Sequence, residues 1–171
     1  MKNGELAIQE QSAGNAFGKQ APVFDQLYGS DSIVQYKRKR VRDHVEQWIK
    51  PGSYMLELNA GTGEDAVYFA KQGHRIHATD ISTGMLGILS GKIAEQGLSA
   101  QVTHESCSYT DLGSLQQNGP YDYLFSNFAG LNCTGSIEKV LSSFKTLTKP
   151  GGYITLVLLP RYCLWETLML F

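Results

Sequence analysis

One stretch of the sequence restricts the possible folds more than any other. Tyr54-Met55-Leu56-Glu57-Leu58 is a short apolar run that passes directly into Asn59-Ala60-Gly61-Thr62-Gly63, and a helical pattern then runs from Glu64 to Gln72 before Gly73. A run of this length predicts a buried strand, the glycines a tight loop and the periodic segment a helix. Strand, glycine loop and helix in that order are the opening unit of a parallel α/β sheet. The loop then lies at the carboxyl edge of the strand, where glycines let a ligand come close to the backbone.

The same alternation recurs downstream. His74 to Thr79 predicts a second strand, Ser82 to Gln96 a helix capped by Ser82 and ended by Gly97, and Ala100 to Glu105 a third strand. Tyr121 to Ser126 predicts a fourth. Ile137 to Leu147 predicts a helix that stops at Lys149-Pro150-Gly151-Gly152, and Tyr153 to Leu159 is the most apolar strand of the chain. Ahead of the glycine loop, Ile33, Val34, Val41, Val45, Trp48 and Ile49 form one apolar helical stripe, which Pro51-Gly52 ends. Strands alternating with helices imply an α/β fold with a doubly wound, mostly parallel sheet.

Composition narrows the function classes. With 171 residues, 42% of them hydrophobic, the chain suits one globular domain. Fifteen basic and 16 acidic residues leave a net charge of −1, so nothing draws the whole surface toward nucleic acid or anionic lipid. The basic run Lys37-Arg38-Lys39-Arg40, with Arg42, reads as a solvated helix face. Cys107, Cys133 and Cys163 are an odd number without a CxxC spacing, which predicts free thiols in a reducing compartment and no structural metal. The first twenty residues lack a basic start followed by an apolar stretch, and the Leu-rich run from Tyr153 is broken by Pro160, Arg161 and Glu166. Neither a secretory leader nor a membrane span is expected, and the expected location is cytoplasmic.

Two cofactor classes use such a glycine loop. Gly61-Thr62-Gly63-Glu64-Asp65-Ala66 matches the G-x-G-x-x-A pattern of dinucleotide binders, and electrostatics separates that reading from its competitor. A pyrophosphate would sit at the amino end of the next helix, where Glu64 and Asp65 follow Glu57 with three carboxylates. S-adenosylmethionine brings an ammonium and a sulfonium instead, which carboxylates stabilise. Glu64 and Asp65 can also be simple helix N-terminal acids, whereas Glu57, a charge ending a buried strand, needs a partner. Asp80 closes the second strand where a carboxylate can accept both ribose hydroxyls, or else cap the helix that follows.

Glu57-Leu58-Asn59-Ala60-Gly61-Thr62-Gly63, then Asp80-Ile81-Ser82 with Met85, then Tyr121 to Phe128, then Leu147-x-x-Pro150-Gly151-Gly152 resemble the ordered motifs of the class I S-adenosylmethionine-dependent methyltransferases, over roughly residues 20 to 160. The resemblance implies a Rossmann-like sheet of about five strands in the order 3-2-1-4-5. It implies that Glu57 and the loop residues Asn59, Ala60, Gly61 and Gly63 hold the methionine portion and that Asp80 holds the ribose. Ile81 and Met85 would flank the adenine, with Cys107 and Ser108, in the segment from Ser106 to Tyr109, at its edge. The loop from Asn127 to Asn132 would face the methyl acceptor, so Asn127 is also a cofactor candidate, and Asn127, Asn132 and Tyr28 are the catalytic candidates. Asn127 and Asn132 can equally cap their loop, and Tyr28, in an aromatic lid segment Phe24-Asp25-x-x-Tyr28, can be core packing. The implied segments are a flexible 1–16, a helical lid over 17–52 and a cofactor-binding core over 53–171.

The chain departs from the family in two places. Asn59 stands where the family has glycine, which predicts an asparagine in the left-handed region. The family also continues past its fifth strand with a helix and two more strands, so the sequence is expected to be part of a longer protein or to hide its apolar fifth strand in a homo-oligomer. A helix near Tyr162, carrying Leu164, Trp165, Leu168, Met169, Leu170 and Phe171, is expected to need a surface to cover. Arg40 or Arg42 is a candidate partner for the cofactor carboxylate. His44, His74, His77 and His104 lie away from the Asn127 loop and read as structural, so no general base is assigned. The leading reading is methyl transfer to a small-molecule acceptor by in-line displacement. The alternatives are a chain that binds the cofactor without turnover and a nicotinamide-dependent oxidoreductase.

Overall fold

The computed structural model describes residues 2–117, 119–160, 162 and 169. The helix expected from Tyr162, and Cys163, lie outside the described residues. Five strands form one sheet: β1 (Tyr54–Leu58), β2 (Arg75–Asp80), β3 (Val102–Ser106), β4 (Tyr121–Ser126) and β5 (Thr148–Leu156), in the spatial order β3-β2-β1-β4-β5. Every pairing is parallel, with Glu57 opposite Ala78 on one side and Phe125 on the other. The order reverses at β1, which makes the edge between β1 and β4 the topological switch point where α/β sheets take ligands.

Helices cover both faces. The side-chain period of two sends Met55, Ile76, Ala78, Tyr123 and Phe125 to one face, against α2 (Ser32–Glu46), α3 (Glu64–Lys71) and α4 (Thr83–Glu95). Leu56, Leu58 and Leu124 go to the other, against α5 (Ile137–Leu147) and a short 3-10 helix, Tyr109–Ser114, and Tyr121 joins them because the strand is irregular between Tyr121 and Tyr123. Glu57 shares the parity of Met55, so its side chain lies on the α2 and α3 side.

The N-terminal segment differs from expectation. Instead of a loose stretch over 1–16, a helix α1 runs from Lys2 to Tyr28. Few apolar residues do not prevent its docking, because small ones allow the backbones to approach: a Cβ at Gly14 would stand 2.6 Å from Ile81 Cγ2, and one at Gly84 of α4 would stand 3.0 Å from the Gly18 carbonyl. Ala21 of α1 is buried as well.

The stripe of α2 is also narrower than expected. Val45 is fully buried, with Val41 and Ile49 packed against the core, while Ile33 and Trp48 are exposed; the helix itself runs from Ser32, under the Asp31 cap, to Glu46. β5 is an edge strand with Tyr153 and Ile154 exposed. Among the described residues, no helix is long and apolar enough to cross a membrane.

Candidate functional site

The loop between β1 and α3 is built from left-handed residues: Asn59 at φ 49°, Gly61 at 56° and Gly63 at 81°. Asn59 therefore adopts the conformation its identity predicts, and its side chain has a further use. It donates from Nδ2 to the Asn127 carbonyl at 2.7 Å and accepts from Ser126 Oγ at 2.6 Å. Space for it comes from Gly130, where a Cβ would meet Asn59 Cγ at 2.3 Å. The two glycines do different things. A Cβ on Gly63 would stand 2.1 Å from Leu89 Cδ1, so this glycine admits α4, whereas a Cβ on Gly61 would meet nothing within 4 Å and faces open space.

That open space is a cleft with two chambers, both bordered by Asn59, Gly61, Phe17, Phe24 and Phe128. One, of about 150 Å³, adds Asp80, Ile81, Met85, Tyr109, Cys133 and Glu10. The other, of about 300 Å³, adds Glu57, Ala60, Arg38, Asp65 and Tyr28. Glu57 and Asp80 thus border one cleft on either side of Gly61. A larger hollow of about 430 Å³ beside β3, lined by His77, His104 and Glu105, does not touch the glycine loop.

The charges are arranged more sparingly than the sequence suggests. Asp65 does not present its charge to the cleft: Arg38 Nη1 and Arg42 Nε each approach it at 2.6 Å, and Asn127 Nδ2 donates to it at 3.0 Å. The basic run is accordingly not one solvated face. The i, i+4 spacing of Arg38 and Arg42 turns both inward, where their side chains are only 11% and 15% exposed, while Lys37, Lys39 and Arg40 stay outside. Arg42 also donates to the Glu64 carbonyl and stacks over Tyr68, which commits it to holding α3 rather than a ligand. Arg40 is exposed and lines neither chamber. Glu64 pairs with Lys92, which also holds Asp25 at 2.7 Å.

Glu57 is left over. It is buried, and its Oε2 has no hydrogen-bond partner. Burial, then the nearby Asp65 charge, holds its carboxyl well above the ordinary range against the pull of Arg38 and Arg42. Asp80 is raised as well, by burial, although its oxygens accept from the backbone N–H of Gly61 at 2.9 Å and of Ser82 at 2.8 Å.

Of the other expected positions, Ile81 and Met85 line the chamber of Asp80. Ser108 stands at its margin, where Oγ donates to Glu10 Oε2 at 2.5 Å. Cys107 does not line it: the residue packs against the Leu112 cluster, and burial pushes its thiol up to about 11. Asn127 lines the Glu57 chamber with both side-chain ends engaged, Oδ1 accepting from the Phe128 N–H at 2.8 Å. Asn132 is exposed and brackets Leu159, donating to its carbonyl and accepting from its N–H, both at 3.0 Å, so it is a loop tie rather than part of the cleft. The Tyr28 ring lies 4.7 Å from that of Phe24, tilted by 54°, and both line the Glu57 chamber.

Nothing in the sequence signalled Glu10, Phe17 or Arg38 on the walls, whereas Tyr109 and Phe128 fall within the expected segments Ser106 to Tyr109 and Asn127 to Asn132. Phe128 and Ala129, at φ 52° and 57°, are non-glycine residues in left-handed backbone, and Arg38 lies 4.6 Å from the Phe128 ring centroid. Strain of this kind collects at ligand sites. None of the four histidines lines either chamber. His77 is spent on Glu105 at 2.8 Å and on the Tyr121 hydroxyl at 2.6 Å.

Comparison with known proteins agrees with this geometry. The model of a methyltransferase domain family matches residues 55–152, more than half of the chain. A demethylmenaquinone methyltransferase of Bacteroides fragilis is 26% identical over 148 residues, covering 82% of this chain and 57% of that protein. A malonyl-(acyl-carrier protein) O-methyltransferase of Hamiltonella defensa is 26% identical, over 86% of this chain and 52% of that protein. The chain thus spans little more than half the length of these relatives. Among solved structures, the cyclase SpnF shares the fold at a TM-score of 0.73 with 19% identity, over 86% of this chain and 60% of that one. The phosphoethanolamine N-methyltransferase 2 of Haemonchus contortus, in complex with phosphomonomethylethanolamine and S-adenosylhomocysteine, gives a TM-score of 0.60 at 26% identity, over 69% of this chain and 28% of that one.

Proposed function

Because the chain belongs to the methyltransferase domain family, we propose that its cleft binds S-adenosylmethionine and that the protein methylates a small-molecule acceptor. The observation that carries this reading is the unpartnered Oε2 of Glu57, a buried carboxylate oxygen bordering the cleft beside Gly61 while the neighbouring acids are already paired. A buried anion without a partner is costly, and a cationic ligand removes that cost. An ammonium group fits there; a pyrophosphate does not.

Glu57 and the loop at Ala60 and Gly61 would hold the methionine portion, Asp80 the ribose, and Ile81 with Met85 the adenine. Both oxygens of Asp80 accept one backbone N–H and keep a lone pair for a ribose hydroxyl. When bound, the sulfonium supplies an already activated methyl group. The protein's own contribution is alignment and exclusion of water: Phe17, Phe24 and Phe128 border both chambers with apolar rings. Among the described residues no histidine lines the cleft, so no imidazole base is assigned. One relative is named a demethylmenaquinone methyltransferase, which supports a small acceptor, and another is named for a malonyl group on acyl-carrier protein, so the names do not choose the acceptor.

Titration calorimetry with S-adenosylhomocysteine and with NAD tests the cofactor. Binding of the first is expected; binding of NAD alone would overturn the reading. Mass spectrometry of a panel of small acceptors incubated with S-adenosylmethionine tests transfer, and cofactor binding with no methylated product would favour a non-catalytic binder.

A further inference from the structure

We propose that Glu10, on α1, reads the base of the bound cofactor by accepting a hydrogen bond from the exocyclic amine of the adenine; this rests on the cofactor reading above. Glu10 reaches the chamber of Asp80 from outside the sheet domain, on the helix whose Gly14 packs on Ile81. It is 2% exposed. One oxygen accepts from Ser108 Oγ at 2.5 Å, and the other, Oε1, is buried with no hydrogen-bond partner. Ser108 has nothing left to give that second oxygen, since its single hydroxyl proton is already donated and its oxygen accepts from the Thr110 N–H at 3.1 Å. A carboxylate oxygen buried in this way lacks a donor, and a ligand's N–H entering the chamber would supply one.

The chamber tells which donor. Among the described residues, its charged lining residues are Glu10 and Asp80, with no lysine or arginine. The apolar Ile81 and Met85 line the same chamber and suit the faces of a flat base, which leaves Asp80 for the ribose and Glu10 for the base. A base end whose charge is an acceptor selects a purine with an amine at its six position. It rejects the six-oxo purine, because that oxygen would face a carboxylate. Burying one unpaired polar group is how a site discriminates strongly between two ligands of the same shape.

The test compares S-adenosylhomocysteine with S-inosylhomocysteine by calorimetry, on the wild type and on Glu10→Gln and Glu10→Ala. The wild type is expected to prefer the adenosyl ligand at least tenfold. Glu10→Gln can turn its amide to donate to the six-oxo group and is expected to shrink that preference about tenfold. Glu10→Ala is expected to lose about tenfold in adenosyl affinity while inosyl affinity holds or rises. A purely structural role would lower both affinities together and leave the ratio alone. An unchanged ratio in variants that melt like the wild type would overturn the role of Glu10 and leave the cofactor reading standing. Equal affinities in the wild type would do the same without any variant. Failure of the wild type to bind S-adenosylhomocysteine would remove the cofactor reading, and this inference with it.

Discussion

The side chain of Asn59 ties the glycine loop to the turn after β4, donating from Nδ2 to the Asn127 carbonyl at 2.7 Å. The same side chain accepts from Ser126 Oγ at 2.6 Å, so both strand ends at the switch point are held by one residue. It does so in left-handed backbone, at φ 49°, where asparagine is the best tolerated residue after glycine. Glycine at 59 would relieve the backbone and lose both bonds. Asn59→Gly is therefore expected to cost about 1 kcal/mol, a fall of about 2–4 °C in melting temperature. Asn59→Ala loses the bonds and keeps the strain, and is expected to cost about 2–3 kcal/mol. Thermal melts of the two variants check the order; a glycine variant as stable as the wild type would show that the two bonds contribute nothing net.

Glu57 sets a cost that ligand binding removes. Its carboxyl is raised above the ordinary 4.5, chiefly by burial and then by Asp65. In the unfolded chain the group ionises near its ordinary value while the folded protein still holds the proton. The stability this gives is complete below that value and is lost as pH rises toward the raised one. Glu57→Gln removes the titration, so the variant is expected to lose less stability than the wild type over that window. At neutral pH it should be more stable by on the order of 1 kcal/mol, about 2–4 °C. Ligand binding should move the other way: an ammonium beside Glu57 favours its ionised form, so S-adenosylhomocysteine affinity should tighten with rising pH and Glu57→Gln should flatten that dependence. Parallel melts and titrations across pH check both. A variant less stable than the wild type at neutral pH would mean that Glu57 has a partner in solution.

Asp65 holds α2 to α3. Arg38 and Arg42 both converge on it at 2.6 Å, and its side chain is 3% exposed. Asp65→Ala leaves two largely buried guanidiniums without their counter-ion, so a loss of about 3–5 kcal/mol is expected by denaturant unfolding. A loss under about 1 kcal/mol would mean that water reaches the pair and screens it.

What the sequence made legible was local. β1 at Tyr54–Leu58, β4 at Tyr121–Ser126 and α5 at Ile137–Leu147 have the bounds their patterns predict, because each is an apolar or periodic run with a clear breaker at its end. The left-handed Asn59 was legible because it stands where the resembled family has glycine, and asparagine tolerates that conformation best among the other residues. The charge distribution was not. Arg38 and Arg42 meet Asp65 across 27 and 23 residues, and Lys92 meets Glu64 across 28, so acids that look like ligand contacts are already neutralised by the fold. Docking of α1 was missed because Gly14 and Gly18 pack by the absence of side chains, which a count of apolar residues does not register. The tie of Asn132 to Leu159 was not legible either, because that partner lies 27 residues on, beyond β5.

The two glycines of the loop, finally, predict opposite phenotypes from the same substitution. Both have positive φ, 56° at Gly61 and 81° at Gly63, so alanine at either carries a backbone cost of on the order of 1 kcal/mol. At Gly63 the new methyl also meets Leu89 Cδ1 at 2.1 Å and Cγ at 3.0 Å, so α3 and α4 must move apart, adding overpacking of about 1–3 kcal/mol. At Gly61 it projects into the cleft with nothing within 4 Å, where it takes up room beside Glu57 and Asp80. Gly63→Ala is therefore expected to lower the melting temperature by roughly 5–15 °C and to lose ligand binding only as the fold weakens. Gly61→Ala is expected to keep most of its stability and to bind S-adenosylhomocysteine at least tenfold more weakly. Melting curves and calorimetry on the pair decide the matter: if Gly61→Ala binds like the wild type, the ligand does not approach the backbone at this turn.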